Sequence, residues 1–142
     1  MTLASDNQTM RVREAMIAEP RALTSADTAR VAGEVLTPPE VRAVYVVDAD
    51  GALVGVVTRK TLVARVVAEG RDPSTTPVRE LAEPPYYTID ADTPLDEAFR
   101  FIEAEDAERV PVVDDGRLVG VVSRAVLQRR LAEDEEPAAE EP

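Results

Sequence analysis

The sequence contains no cysteine and no histidine among its 142 residues. The absence of cysteine excludes disulfides and thiol nucleophiles. Without either residue there are also no zinc sites of the Cys/His type, no His-based triads and no imidazole acid–base chemistry. Aromatic residues make up only 4% of the chain, so the core must be aliphatic. A hydrophobic share of 44% is ordinary for a globular protein, and the length suits one domain or two very small ones.

Acidic residues outnumber basic ones, 28 against 16. The formal net charge is −12, and residues 132–142 carry six acids and no base. Such an acidic chain argues against nucleic acid and against an anionic membrane surface as partners. No apolar run approaches the roughly 20 residues of a membrane helix, and the first ten residues lack the basic and apolar parts of a signal peptide. We therefore expect a cytoplasmic protein.

The most informative feature of the sequence is an internal duplication. Residues 44–59 read VYVVDADGALVGVVTR, and residues 110–124 read VPVVDDGRLVGVVSR. Upstream, VREAM at 12–16 pairs with VRELA at 78–82 at an offset of 66, which falls to 65 after the turn. The extra residue lies at a hairpin tip, where a change of length is well tolerated. The chain is therefore interpreted as two copies of one small unit.

Each copy predicts the same order of elements: a short helix, a short strand, an amphipathic helix, a hairpin of two Val-rich strands and a final helix. The hairpins make Leu53–Val57 and Leu118–Val122 equivalent strands. Thr76-Pro77 is interpreted as a cap followed by the first helical residue. In the last helix of copy one, an apolar stripe is predicted from Leu62, Val63, Val66 and Val67.

The predicted fold class is mixed α/β (α+β), with two pseudo-twofold-related repeats that each have a small sheet flanked by helices. Because so small a unit hides little apolar surface alone, we expect the two repeats to pack on each other. The expected divisions are a flexible N-terminus over 1–10, repeat one over 11–70, a linker over 71–77, repeat two over 78–131 and an acidic disordered tail over 132–142.

The doubled pattern resembles a pair of CBS (cystathionine beta-synthase) domains, the tandem known as a Bateman module. The resemblance covers roughly residues 10–131 and rests on the repetition at fixed spacing rather than on any one motif. It implies a stand-alone module that forms a homodimer and binds an adenine nucleotide such as AMP, ADP or ATP in the cleft between the repeats. It also implies a regulatory role without catalysis, an unknown regulated protein, and no required cofactor or metal.

The resemblance places the nucleotide where a strand ends and a helix begins in each repeat. Hydroxyls and cations there suit phosphate, and a valine in the preceding strand corresponds to the family's apolar wall for adenine. The candidate residues are Val44, Thr58, Arg59, Lys60 and Thr61 in repeat one, and Val110, Ser123 and Arg124 in repeat two.

One departure from the family concerns the ribose. The family usually has an aspartate three residues after the Ser/Thr, where it accepts from both ribose hydroxyls, but this chain has Thr61 and Val126 at those positions. A charged hydrogen bond of this kind is worth roughly 1.5–3 kcal/mol, so we expect weak, phosphate-led binding. Repeat one keeps two hydroxyls and two cations, so it is expected to bind first.

Other interpretations stay open. Thr58 and Ser123 stand where helix caps stand, and capping alone would account for them. A CBS pair that has lost its ligand and serves as a dimerisation or protein-interaction module fits the missing aspartates. A third interpretation is a hydrolase that uses carboxylates and hydroxyls, although pairs such as Asp114-Asp115 are typical of turns.

Overall fold

The computed structural model describes residues 10–18 and 22–139, with side chains described up to Glu133. Repeat one consists of a 3-10 turn at Val12–Glu14, β1 (Ile17–Ala18), β2 (Ala22–Thr24), α1 (Ala29–Val35), β3 (Val44–Val47), β4 (Leu53–Val57) and α2 (Arg59–Leu62), which continues as a π-helical turn at Val63–Val67. Repeat two consists of a 3-10 turn at Val78–Glu80, β5 (Ile89–Asp90), α3 (Leu95–Ala104), β6 (Arg109–Asp114), β7 (Arg117–Ser123) and α4 (Arg124–Ala139). The predicted order of elements is confirmed, with β1 as an addition.

The strands form two small sheets. In the first sheet β2 lies parallel to β3, and β3 lies antiparallel to β4. In the second sheet the order is β1-β7-β6-β5, with β5 parallel to β6 and β1 antiparallel to β7. The two strands predicted to be equivalent also have equivalent partners. Val121 of β7 pairs with Ile17, and its counterpart Val56 of β4 forms a single bridge with Glu83, the counterpart of Ile17. The mixed α/β class with two small sheets flanked by helices is therefore confirmed.

The compact units do not follow the order of the repeats along the chain. The first unit contains the described residues 10–18, 87–115 and 119–139, and the second contains 22–86 and 116–118. The leading turn of each repeat thus belongs to the unit that holds the sheet of the other repeat. In the first unit Val12 N donates to Thr93 O at 2.9 Å, and in the second Val78 N donates to Asp27 O at 2.7 Å.

A glycine in the middle of β4 and of β7 makes room for this exchanged segment. A Cβ on Gly55 would lie 2.8 Å from Ala82 Cβ and 2.9 Å from Glu83 O. A Cβ on Gly120 would lie 2.7 Å from Ile17 O. Because backbone atoms of the exchanged segment lie against each glycine, neither position has room for a side chain. Close approach of another backbone is a common reason for a glycine inside a strand.

Each unit has an aliphatic core of its own, as the low aromatic content predicts. The amphipathic helix predicted for repeat two is α3, which is buried at Leu95, Ala98 and Ile102, with Phe99 partly buried against the same core. The stripe predicted for α2 is wrong in part. Val66 is buried, but the side chains of Val63 and Val67 are 59% and 72% exposed. The π-helical turn changes the residue spacing here, so a reading at 3.6 residues per turn does not describe this segment.

Two further expectations need correction. Pro77 occupies the N-cap position itself, and the Thr76 hydroxyl instead donates to Asp72 O at 2.8 Å. A side-chain cap is not needed, because Val78 N bonds to Asp27 O. The acidic tail expected to be disordered from residue 132 is helical through Ala139. Its alanines and glutamates are good helix formers, which the interpretation from charge alone overlooked, although Pro137 near the end of the helix is not. Residues 1–9 and 140–142 lie outside the described residues.

Candidate functional site

The two threonines of repeat one build the start of α2. Thr58 is the N-cap, and its hydroxyl accepts from Thr61 N at 3.3 Å while the Thr61 hydroxyl accepts from Thr58 N at 3.1 Å. The two hydroxyl oxygens lie 3.0 Å apart. This is a capping box, in which a threonine takes the place of the usual acid. The Thr61 side chain is buried, so its hydroxyl faces the cap rather than solvent.

The two cations that follow behave differently from each other. The Arg59 guanidinium donates from Nη2 to Leu36 O at 2.5 Å and to Pro38 O at 2.8 Å, and so ties the start of α2 to the end of α1. Lys60 is exposed, and within the described ranges no hydrogen bond or ion pair reaches its ammonium group. Neither cation has a carboxylate partner among the described side chains, so both keep an uncompensated charge at this helix start.

The helix start of repeat two is arranged differently. The Ser123 hydroxyl accepts from Val126 N at 3.2 Å, which is the predicted capping contact. The Arg124 guanidinium lies 3.5 Å from Asp106 Oδ1 and 3.6 Å from Glu108 Oε2. Two carboxylates therefore offset its charge. Sequence reasoning missed these acids, which lie in the loop before β6. A comparison of the repeats shows that Glu108 corresponds to Arg42, but not that Glu108 reaches Arg124.

The two valines proposed as an adenine wall lie inside the units. Val44 in β3 and Val110 in β6 are fully buried in their respective cores. A base would reach either of them only after neighbouring side chains move. Their role as a wall stays a prediction. A cleft of about 180 Å³ in the first unit is instead lined by other residues, namely Thr88, Ile89, Asp90, Thr93, Glu97, Ala98 and Phe101.

Carboxylates outside these helix starts serve the fold. Asp48 Oδ1 accepts from Asp50 N at 2.9 Å and from Ala52 N at 3.0 Å, the usual role of aspartate in a turn. Arg13 bridges Asp92 at 3.0 Å and Asp114 at 3.1 Å. Hydrogen bonds to Asp92 and then Asp114 raise the pKa of Arg13, so it stays charged. No group of three or more acidic side chains among the described residues could hold a metal ion.

A comparison with protein families identifies the architecture. The CBS domain profile matches residues 12–68 and again residues 78–133. The chain belongs to the CBS domain family. The two matches coincide with the two repeats, so the protein is a tandem CBS pair. No helix in the part of the chain that the structure describes is long and apolar enough to span a membrane.

Several known CBS proteins are similar over most of the chain. Hypoxic response protein 1 of Mycobacterium tuberculosis is 32% identical over 107 residues, which cover 75% of each chain. The crystal structure of Hypoxic Response Protein I with two coordinated zinc ions has a TM-score of 0.70 at 30% identity and covers 84% of this chain and 98% of that one. The crystal structure of CBSX2 in complex with AMP has a TM-score of 0.69 at 24% identity and covers 88% and 98%.

Proposed function

We propose that this CBS pair is a non-catalytic regulatory module that binds an adenine nucleotide at the helix start of repeat one. The observation that carries the proposal is the uncompensated charge of Arg59 and Lys60 beside the Thr58 cap. The N-terminal end of a helix favours anions, and cations in its first turn oppose the helix dipole unless an anion is present. The structural neighbour CBSX2, solved in complex with AMP, supports the choice of ligand class.

The same contacts favour repeat one over repeat two. A phosphate near Arg124 would have to compete with Asp106 and Glu108, which already lie within 3.6 Å of the guanidinium. At repeat one Arg59 is held by carbonyl oxygens, so an incoming phosphate meets no carboxylate there. The candidate site therefore consists of Arg59 and Lys60 beside the Thr58 cap, and the buried Thr61 hydroxyl supports that cap. Ser123 and Arg124 form the weaker counterpart.

The contacts of the polar groups support the proposal of a regulatory rather than a catalytic role. The carboxylates that a hydrolase would need are engaged in turns and ion pairs, as at Asp48 and Asp114. The proposed setting is the cytoplasm, where adenine nucleotides are found, and the proposed form is a homodimer that acts on another protein. Exposed Val63 and Val67 lie four residues apart and supply apolar surface for the dimer.

A second candidate is a CBS pair that binds no ligand and serves as a dimerisation or protein-interaction module. Two observations favour it: the Thr61 hydroxyl is used by the cap, and Val44 and Val110 are fully buried. A thermal-shift screen with AMP, ADP, ATP and S-adenosylmethionine separates the two candidates. A ligand that binds only the folded chain must raise the melting temperature, so an adenine nucleotide should raise it. If none of the four ligands shifts the melting temperature, the interaction module becomes the favoured candidate.

Lys60 provides the matching substitution test. Its ammonium group has no partner within the described ranges, so Lys60→Ala should leave stability nearly unchanged while it weakens nucleotide binding about tenfold. Binding should also weaken as salt rises, because the contact is electrostatic. Titration calorimetry measures both effects. Equal affinity of Lys60→Ala and the parent would place the ligand elsewhere.

A further inference from the structure

The two helix starts differ in charge at a position upstream of the hairpin. At the repeat offset of 66, Arg42 in repeat one corresponds to Glu108 in repeat two. Glu108 faces the helix start in its own unit, since its carboxylate lies 3.6 Å from the Arg124 guanidinium and its carbonyl accepts from Arg124 N at 2.9 Å. Repeat one therefore has Arg42 at the position where repeat two has Glu108, the acid that offsets the charge of Arg124.

Contacts in the second unit bring Arg59 to the segment that contains Arg42. The Arg59 guanidinium and Val41 N donate to one acceptor, Pro38 O, at 2.8 Å and 3.0 Å. Arg42 is the next residue along the chain and is exposed. The antiparallel register pairs Val44 with Val57, so Arg42 and Arg59 both stand two residues beyond that pair, at the same end of the hairpin.

The rest of the surroundings keeps this contrast. Lys60 corresponds to Ala125, and Glu40 corresponds to Asp106, so only the acid is common to both repeats. Repeat one thus has three cations and one acid here, whereas repeat two has one cation and two acids. Arg109 is not counted among the cations of repeat two. It begins β6 directly after Glu108, and successive side chains of a strand point to opposite faces.

We infer that Arg42, Arg59 and Lys60 form one anion site whose ligand carries at least two phosphates, so the chain binds ADP or ATP in preference to AMP and binds one per chain. This inference rests on the proposed nucleotide function and names its ligand class. Like charges held close together repel one another, and a polyphosphate relieves that repulsion more than a single phosphate does. Arg59 uses Nη2 for its two carbonyls, so its Nε and Nη1 donors are left for phosphate.

Titration calorimetry with ATP, AMP and inorganic tripolyphosphate tests this inference on the full chain. The parent should bind ATP about tenfold or more tightly than AMP, at one per chain. Arg42→Glu installs the residue of repeat two and should abolish that preference, and Arg42→Gln should reduce it. Arg79→Glu is the matched control, because it makes the same charge change at another exposed arginine of the second unit and should bind as the parent does.

The outcomes separate the inference from the function on which it rests. Equal affinity for ATP and AMP in the parent, or unchanged ATP binding in Arg42→Glu, overturns the polyphosphate site while nucleotide binding stands. Tripolyphosphate that binds as tightly as ATP, with no added affinity from adenosine, supports the anion site and overturns the adenine-nucleotide proposal. Glu108→Arg combined with Ala125→Lys gives repeat two the cations of repeat one and should add a second ATP per chain. Unchanged stoichiometry in that double variant would contradict the charge explanation for the difference between repeats.

Discussion

One glycine in each hairpin leaves the space in which the leading segment of the other repeat crosses the strand. A methyl group on Gly55 would meet Ala82 Cβ at 2.8 Å and the Glu83 carbonyl at 2.9 Å, and backbone cannot yield as a long side chain can. Gly120 stands at the equivalent place in the other unit, below Ile17 O. The glycine in each LVGVV run is thus explained by a close approach of backbone rather than by a turn.

Gly55→Ala should therefore lower the free energy of unfolding by about 1–3 kcal/mol, the usual cost of overpacking. Gly33→Ala is the control, because its Cβ would meet only Leu62 Cδ1 at 3.8 Å and alanine favours a helix by about 1 kcal/mol over glycine. Urea unfolding measures both variants. A Gly55→Ala protein as stable as the parent would contradict the close approach of the Ala82–Glu83 backbone to Gly55.

The helix starts show how much a sequence reveals at the scale of one residue. The Thr58 and Ser123 caps were predictable, because a cap bonds within three residues of itself and needs no tertiary information. The partners of Arg59 and Arg124 were not, because Leu36, Asp106 and Glu108 reach them only once the chain has folded. Both arginines were candidates in sequence, but only the folded chain shows that Arg124 is paired with carboxylates whereas no described carboxylate pairs with Arg59.

At the scale of elements, the leading turn of repeat one is held by contacts that mirror those of repeat two. Leu95 N donates to Met10 O at 2.8 Å, and Ala29 N donates to Thr76 O at the same distance. The turns differ in one respect. Arg13 bridges Asp92 and Asp114, whereas its counterpart Arg79 has no carboxylate partner among the described residues.

Arg13→Gln should therefore speed hydrogen exchange at the amides of Val12 and Leu95, which bond across this turn. An arginine is charged throughout the neutral pH range, and the hydrogen bonds to Asp92 and Asp114 raise the pKa of Arg13 further, so pH changes there should not alter the effect. High salt should shrink it by screening the exposed pairs. Arg79→Gln should change exchange little. The same rates for Arg13→Gln and the parent would show that the ion pairs do not hold the turn.

Element order was predictable from the duplication, but the exchange of leading segments was not. Hairpins and amphipathic helices leave local patterns, such as the Asp115-Gly116 turn, where both residues have positive φ values of 55° and 82°. The exchange depends on which sheet a turn packs against, and the repeats are too alike for the sequence to distinguish them. The glycines inside β4 and β7 were the available signal. The π-helical turn at Val63–Val67 left no signal that we recognise.

At the scale of the whole molecule, exposed apolar side chains on α2 bear on assembly. Val63 and Val67 are 59% and 72% exposed and lie on one face of the π-helical turn. Burying apolar surface of this kind drives association, which supports the proposed homodimer. Sedimentation of the double variant Val63→Asp/Val67→Asp should therefore give a mass near that of one chain, 15.4 kDa, while the parent should give about twice that mass.

Two controls define that experiment. Val54→Asp changes another exposed valine, on β4 rather than on α2, and should leave the sedimentation coefficient unchanged. Circular dichroism confirms that each variant is folded. A parent that sediments as a monomer at micromolar concentration, or a double variant that stays dimeric, would contradict assembly through this face.

The most direct test of nucleotide binding at repeat one is a two-dimensional amide NMR titration with ATP, with the phosphorus spectrum of ATP recorded in the same sample. Saturable shifts are predicted at the amides of Thr58, Arg59, Lys60 and Thr61, with none of similar size at Ser123 and Arg124, because acids already occupy the arginine of repeat two. The ATP should stay intact, as expected of a sensor without catalysis. No shifts at the repeat-one helix start, or conversion of ATP during the titration, would contradict the proposed function.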